Sequence, residues 1–405
     1  MLTASAKAVA DLEGPLRSAA MDEVANTFAY GLAQTFTSVT PVMLAMLPLR
    51  MMLEQRYGPE GAMLADEATQ GGTNASQTVD AQLVSLAELA RSVPSALALL
   101  TAEGGGARLA ALRAEPGAAP FVEQLDALTA QHSGRSFGWE LTLPTWGEDP
   151  EAVLTMIAAH ARAGASGAVA SASESIRDAA RARLHAELPE PERSQAQHFL
   201  GMLDGLITIR EDRAYWQMRL AGAVRLLLLG RGEVLVAEGR LDRADDILHL
   251  YPAEFEGAGD ADLRALARSR REEWERFKLL SPPAAFGPPP AVPAPVSESA
   301  RELRGFGVSR GLVTARARVI HSPDDYDRFE DGDILVCRMT TPAWTPMFGL
   351  ASAVVTETGT AFSHPAITAR EYGIPAVLSV ADATKLIADG STISVDGAAG
   401  TVTLG

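Results

Sequence analysis

Residues 355–377 read VTETGTAFSHPAITAREYGIPAV. An apolar strand ends at Thr356 and passes into a Gly- and Thr-containing loop. A short helix then runs from His364 to about Tyr372, with Ser363 at its N-cap and Gly373 as its stop. His364 therefore lies on a first helical turn, where unpaired backbone N–H groups and the positive end of the helix dipole favour an anion. Neutral imidazole is a nucleophile at neutral pH, so this is a chemically sensible place for a histidine that accepts a phosphoryl group. That group would lie near the hydroxyls of Thr358, Thr360 and Ser363.

Working outward, residues 312–320 alternate small or apolar side chains with Thr314, Arg316 and Arg318, the period of a half-buried strand. Residues 333–338, 353–356 and 376–379 read as short buried strands, and 391–395 pairs with 401–404 across the Asp396-Gly-Ala-Ala-Gly400 turn. Helical patterns fall between them, which makes residues 305–405 a compact α/β module. Before it, residues 281–304 form a proline-rich linker, and Pro282 to Pro295 would reach roughly 40 Å as an extended arm at about 3.1 Å per residue. Residues 1–280 read as a helical bundle, with apolar residues spaced three and four apart over 79–100 and 152–163. Asp149-Pro150 is a helix start, and a long helix, straight or kinked, is expected from Glu192 to a stop near Gly230 or Gly232.

The composition narrows the function. With 35 basic and 51 acidic side chains the formal charge is −16, the wrong sign for a surface that tracks nucleic acid. The single cysteine, Cys337, lies in an apolar strand, reads as core and fits a reducing compartment. The most apolar stretch, 41–52, is too short to span a bilayer, and Lys7, Asp11, Glu13 and Arg17 break up any leader-like run. The expectation is a cytoplasmic protein without membrane contact. The remaining histidines show no metal-ligand spacing, so no metal site is expected in this chain.

The order and spacing of several pieces are similar to the swivelling phosphohistidine domain of the phosphoenolpyruvate-utilising enzymes. These pieces are Gly332-Asp-Ile-Leu-Val, Thr341-Pro-Ala-Trp-Thr-Pro, Val355-Thr-Glu-Thr-Gly, Ser363-His364-Pro-Ala-Ile, Ala369-Arg-Glu-Tyr-Gly-Ile-Pro-Ala-Val and Asp396-Gly-Ala-Ala-Gly-Thr-Val. The resemblance implies a β/β/α swivelling fold and a phosphoryl group carried on His364. Two positions depart from the family pattern: Thr360, where a second glycine is usual, and Pro365, where a small residue is usual. The helical half resembles the middle of rifampin phosphotransferases and phenylphosphate-synthase-like proteins through Arg135-Ser-Phe, Pro144-Thr-Trp-Gly-Glu-Asp-Pro150, Arg210-Glu-Asp-Arg213 and Asp245-Asp-Ile-Leu-His-Leu. Gly134 stands where relatives often have a histidine.

The resemblance implies an enzyme: a phosphotransferase of dikinase type whose His364 is loaded by an ATP-grasp module using ATP and Mg²⁺. No such module is recognisable in this chain, so a separate ATP-grasp subunit is the expected partner. A hydroxyl-bearing small molecule in the helical domain is the expected acceptor. Arg135, Trp139, Arg210 and Arg213 are candidates for holding it. Each has a plain alternative: a surface contact for Arg135, core packing for Trp139 and a solvated face for Arg210 and Arg213. For Arg370 a phosphate contact and an ion pair within the domain are both open. Three alternatives stand beside the transferase. Phosphorylation could activate an acceptor for elimination or condensation, as in prodigiosin-ligase-type relatives; the chain could be a phosphocarrier without catalysis; or it could be a fragment of a longer protein.

Overall fold

The computed structural model describes residues 14–71, 74–102, 107–163, 169–256, 262–278, 280, 302–321, 325, 328–341 and 344–405. Most of the proline-rich stretch, 281–301, lies outside them. The described residues form two compact units, one from those that fall within 1–33, 133–148 and 216–298, the other from those within 34–132, 149–215 and 299–405. This division cuts across the boundary expected at the linker: helices of 34–211 pack with the C-terminal sheet domain in one unit.

The sheet domain has eight strands: β1 (Glu302–Arg304), β2 (Phe306–Ser309), β3 (Leu312–Ile320), β4 (Ile334–Cys337), β5 (Ala353–Thr356), β6 (Ala376–Leu378), β7 (Thr392–Asp396) and β8 (Thr401–Leu404). Their order is β1-β8-β7-β3-β4-β5-β6-β2. β3 works in two halves, pairing antiparallel with β7 over 312–316 and parallel with β4 over 317–320. β4, β5 and β6 continue in parallel, and the helix His364–Glu371 makes the β5-to-β6 crossover. The expected fold class is therefore the observed one, a helical N-terminal region and a C-terminal mixed-sheet domain.

Three boundaries differ from the sequence reading. Residues 302–304, assigned to the linker, form edge strand β1 and pair with β8, so the sheet domain begins at Glu302. Asp333 stays out of β4 because its N–H closes a turn onto the Glu330 carbonyl at 3.1 Å, while its buried carboxylate takes Arg316 at 2.7 Å and Arg318 at 3.5 Å. The long helix runs Glu192–Ala237, past both glycines expected to stop it. Gly232 is there for a close approach: a Cβ would meet the Ala244 carbonyl oxygen at 2.1 Å. Other starts and turns are as read. Asp149 Oδ1 accepts the Ala152 N–H at 3.0 Å at the head of Pro150–Ala163, and Asp396 Oδ1 accepts the Ala398 and Ala399 N–H groups at 2.9 Å in the β7–β8 turn.

In the second unit, Val42, Ala45, Met46, Leu49 and Leu53 of helix Gly14–Tyr57 recur every three or four residues and pack with Leu64, Leu184, Leu188 and Leu203. This helix corrects the length argument made from 41–52. Over Asn26–Tyr57 it is long and apolar enough, by length and composition, to cross a membrane. One of its faces lies in the core while Leu44, Leu47 and Met51 are exposed. The sheet domain has its own core of Val319, Ile334, Val336, Val355, Val377 and Val395. In the first unit, Val224, Leu228, Leu235, Ile247 and Phe255 form a separate cluster.

Candidate functional site

His364 is the first residue of its helix, and Ser363, in an extended conformation, is the N-cap. The Ser363 carbonyl accepts the Ala366 and Ile367 N–H groups, but its hydroxyl turns back, donating to the Thr360 carbonyl at 2.7 Å and accepting the Thr360 N–H at 3.1 Å. Pro365 costs nothing at the second helical position, where its missing N–H would have had no intrahelical partner. Gly373, at φ +65°, ends the helix as expected. Its N–H bonds to the Arg370 carbonyl and the Ile374 N–H to the Ala369 carbonyl, a pattern that requires a left-handed residue.

The imidazole is half-buried. Thr340 Oγ1 lies 3.0 Å from Nδ1, while Thr345 Oγ1 and Thr368 Oγ1 lie 3.4 Å and 3.3 Å from Nε2. The Phe348 ring meets it edge-on, with centroids 5.8 Å apart. Burial, aided by the Arg210 cation, pushes the imidazole pKa down to about 3, so the ring is neutral at physiological pH.

The hydroxyls around this ring are not the three expected. Thr358 Oγ1 donates to the Arg338 carbonyl at 3.2 Å, and Thr360 and Ser363 satisfy each other within the loop. Thr368 had a visible signal, since four residues on from His364 is the next turn of the same helix face. Thr345 lies inside a quoted motif. Thr340 reaches the ring only because β4 and β5 are parallel neighbours, which spacing alone does not reveal.

Arg370 points away from the imidazole. It is buried, pairs with Asp66 Oδ2 at 3.0 Å and donates to the carbonyls of Ala361 at 2.8 Å and Val308 at 3.3 Å. Asp66, on helix Pro59–Glu67, also takes Arg50 at 2.5 Å. Arg210 is buried on the long helix, donates to the Phe362 carbonyl and has Glu211 Oε1 at 3.7 Å from Nε. Burial pulls its pKa below the usual guanidinium value, and does the same for Arg213, whose Nη1 donates to Thr35 Oγ1 at 3.0 Å. Arg210 is therefore not on a solvated face, whereas Arg213 is half-buried. Glu371 accepts from Asn74 Nδ2 at 3.4 Å; burial first and Glu211 second raise its pKa well above the carboxylate range, and burial raises Glu211 as well. Tyr372 Oη donates to Asp80 Oδ2.

The other two acceptor candidates belong to the first unit. Arg135 is buried with its guanidinium carbon 4.8 Å from the Trp146 ring centroid, and Trp139 is half-buried with its indole N–H enclosed.

A neutral histidine thus heads the β5-to-β6 crossover helix of the mixed-sheet domain. Residues 329–400 match the family described as PEP-utilising enzyme, mobile domain. Over these residues the chain is similar to the PEP-utilising enzymes. Residues 34–211 match the rifampicin phosphotransferase fourth domain. Rifampicin phosphotransferase of a Streptomyces species is 32% identical over 371 residues, which are 87% of this chain and 42% of that protein. Chondramide synthase cmdD of Chondromyces crocatus is 31% identical over 357 residues, 80% of this chain and 9% of that protein. The uncharacterised phosphotransferase YvkC of Bacillus subtilis (strain 168) is 35% identical over 211 residues, 48% of this chain and 25% of that protein. The chain thus spans less than half the length of each of these relatives. A solved structure of Enzyme I (nEIt) covers 81% of the chain at a TM-score of 0.19 and 13% identity, too slight a likeness to inform the fold.

Proposed function

We propose that this chain is the phosphohistidine-bearing component of an ATP-dependent, dikinase-type phosphotransferase acting on a small organic molecule. The observation that carries the reading is His364 itself: a half-buried, neutral imidazole with hydroxyls at both ring nitrogens, heading a helix in a domain matched to the PEP-utilising mobile family. ATP and Mg²⁺, held by a separate ATP-grasp subunit, supply the phosphoryl group.

With Nδ1–H donating to Thr340 Oγ1, Nε2 offers its lone pair. In loading, a donor P–O bond breaks as the Nε2–P bond forms. In transfer, the N–P bond breaks as a P–O bond forms to the acceptor hydroxyl, whose proton passes to solvent. Because phosphoryl transfer depends on alignment and charge neutralisation more than on covalent help, the protein's task is positioning. Arg210 is the cation on the helical side that acts on His364. Arg213, and in the other unit Arg135 with Trp139, are the remaining candidates for acceptor contact. A hydroxyl-bearing organic acceptor accords with relatives named rifampicin phosphotransferase.

The test is a chase. The chain is loaded with labelled phosphoryl through an ATP-grasp partner, hydroxyl-bearing compounds are added with rifampicin first, and the label is followed. Movement of label onto a small molecule is the expected result. A dehydrated or joined product with release of inorganic phosphate would reassign the chain to the activating branch, and label that stays on His364 with every compound would make it a carrier.

A further inference from the structure

Phe362 stands two residues before His364 and is held from several directions by the helical scaffold of its own unit. Its half-buried ring packs against the scaffold core of Val42, Met46 and Leu203, and the Arg50 guanidinium carbon lies 5.4 Å from the ring centroid. Arg210 takes its carbonyl. The same Arg50 pairs at 2.5 Å with Asp66, whose other cation, Arg370 at 3.0 Å, comes from the His364 helix. Arg370 in turn fixes the Ala361 carbonyl at 2.8 Å. The two peptide carbonyls that lead into the nucleophile are thus gripped by two arginines, one from each side of the seam. A scaffold aspartate ties one of those arginines back to the bundle.

We infer that Phe362 and Asp66 are positioning residues which hold the His364 domain against the helical scaffold, Phe362 as an apolar plug and Asp66 as a two-arginine clasp. Withdrawing the plug uncovers scaffold core, and opening the clasp strips Arg370 of its anion while Asp66 keeps Arg50. The seated pose is therefore a discrete state with a defined cost of release. Its use rests on the phosphoryl-transfer reading, but its test does not.

The test uses the full-length chain with spin labels at Met202→Cys on the scaffold and Leu386→Cys on the sheet domain. Both positions are exposed, whereas the native Cys337 is buried. Electron-electron distance measurements should give one narrow distribution in the parent. Phe362→Ala should shift the seated-to-released ratio by about tenfold or more and add a second, longer distance, while Phe362→Leu restores the parent distribution. Asp66→Asn should act in the same direction. Distances unchanged in both Phe362→Ala and Asp66→Asn would overturn the inference. So would loss of the far-ultraviolet helical signal in Phe362→Ala, because Phe362 would then be an ordinary core residue. None of these outcomes depends on whether His364 takes a phosphoryl group, so the two readings fail separately.

Discussion

Around the imidazole, the sheet domain supplies partners close in sequence: Thr368 is 4 residues from His364, Thr345 is 19 and Thr340 is 24. Across the seam the scaffold works at long range, with Arg210 152 residues from Phe362, Asp80 292 from Tyr372 and Asn74 297 from Glu371. The first set is neutral hydroxyls on a neutral ring. The second sets ionisable side chains, Arg210, Asp80 and Glu371, against buried partners. Local hydroxyls tune a nucleophile at small energetic stakes, whereas these long-range contacts, together with the buried Asp66–Arg370 ion pair, set where the nucleophile is held, at larger stakes, because a buried ionisable group is costly once its partner is lost.

The widest gap between the regions should appear at Asp66. Asp66→Ala leaves two arginines facing a buried void and should cost about 3 kcal/mol in urea unfolding. A loss below about 1 kcal/mol would mean that the seam is wetter and looser than its geometry shows. His364 offers the next test. Its folded-state pKa lies below its unfolded value, so the unfolded chain binds the extra proton. The stability this group contributes is fully present above about pH 6.5 and declines as the pH falls towards 3. Imidazole resonances assigned to His364 should accordingly stay unshifted between about pH 5 and 8 in nuclear magnetic resonance titrations, and a midpoint near 6.5 would show an open, solvated ring.

Glu371 carries the opposite sign. Its pKa is raised, so its neutral form favours the folded state, and stability should fall as the pH rises through that raised value. Glu371→Gln should flatten that slope in pH-dependent thermal melts, and an unchanged slope would remove Glu371 from the account. Within the ring's own set, Thr340→Val should cost about 1 kcal/mol of stability and leave the seated distance unchanged. The smallest effect belongs to Arg113→Ala. Both members of the Arg113–Asp126 pair are more than half exposed, and stability should move by less than about 0.5 kcal/mol in the same urea experiment.

The sheet domain was legible because its signals are local. Alternation over 312–320, the Asp396–Gly400 turn and the Ser363…Gly373 helix bounds each specify their own few residues. The errors have equally local causes. A short edge strand at 302–304 has too few residues to show a period, and Gly232 looks like a stop until the 3-10 turn packed on it is seen. The scaffold was legible as helix but not as a seat. Nothing in the spacing of Asp66, Asn74 or Asp80 announces a partner hundreds of residues away. For the same reason Arg370 gave two equal readings. Its ion partner turned out to be on the scaffold, outside its own domain.

The claim beneath all of this is that His364 takes and gives up a phosphoryl group. The most direct measurement incubates the chain with an ATP-grasp partner and ATP labelled at the β-phosphate, then compares label uptake in the parent and in His364→Ala. An acid-labile label on the parent and none on the variant is the predicted result; equal labelling of the two would contradict it.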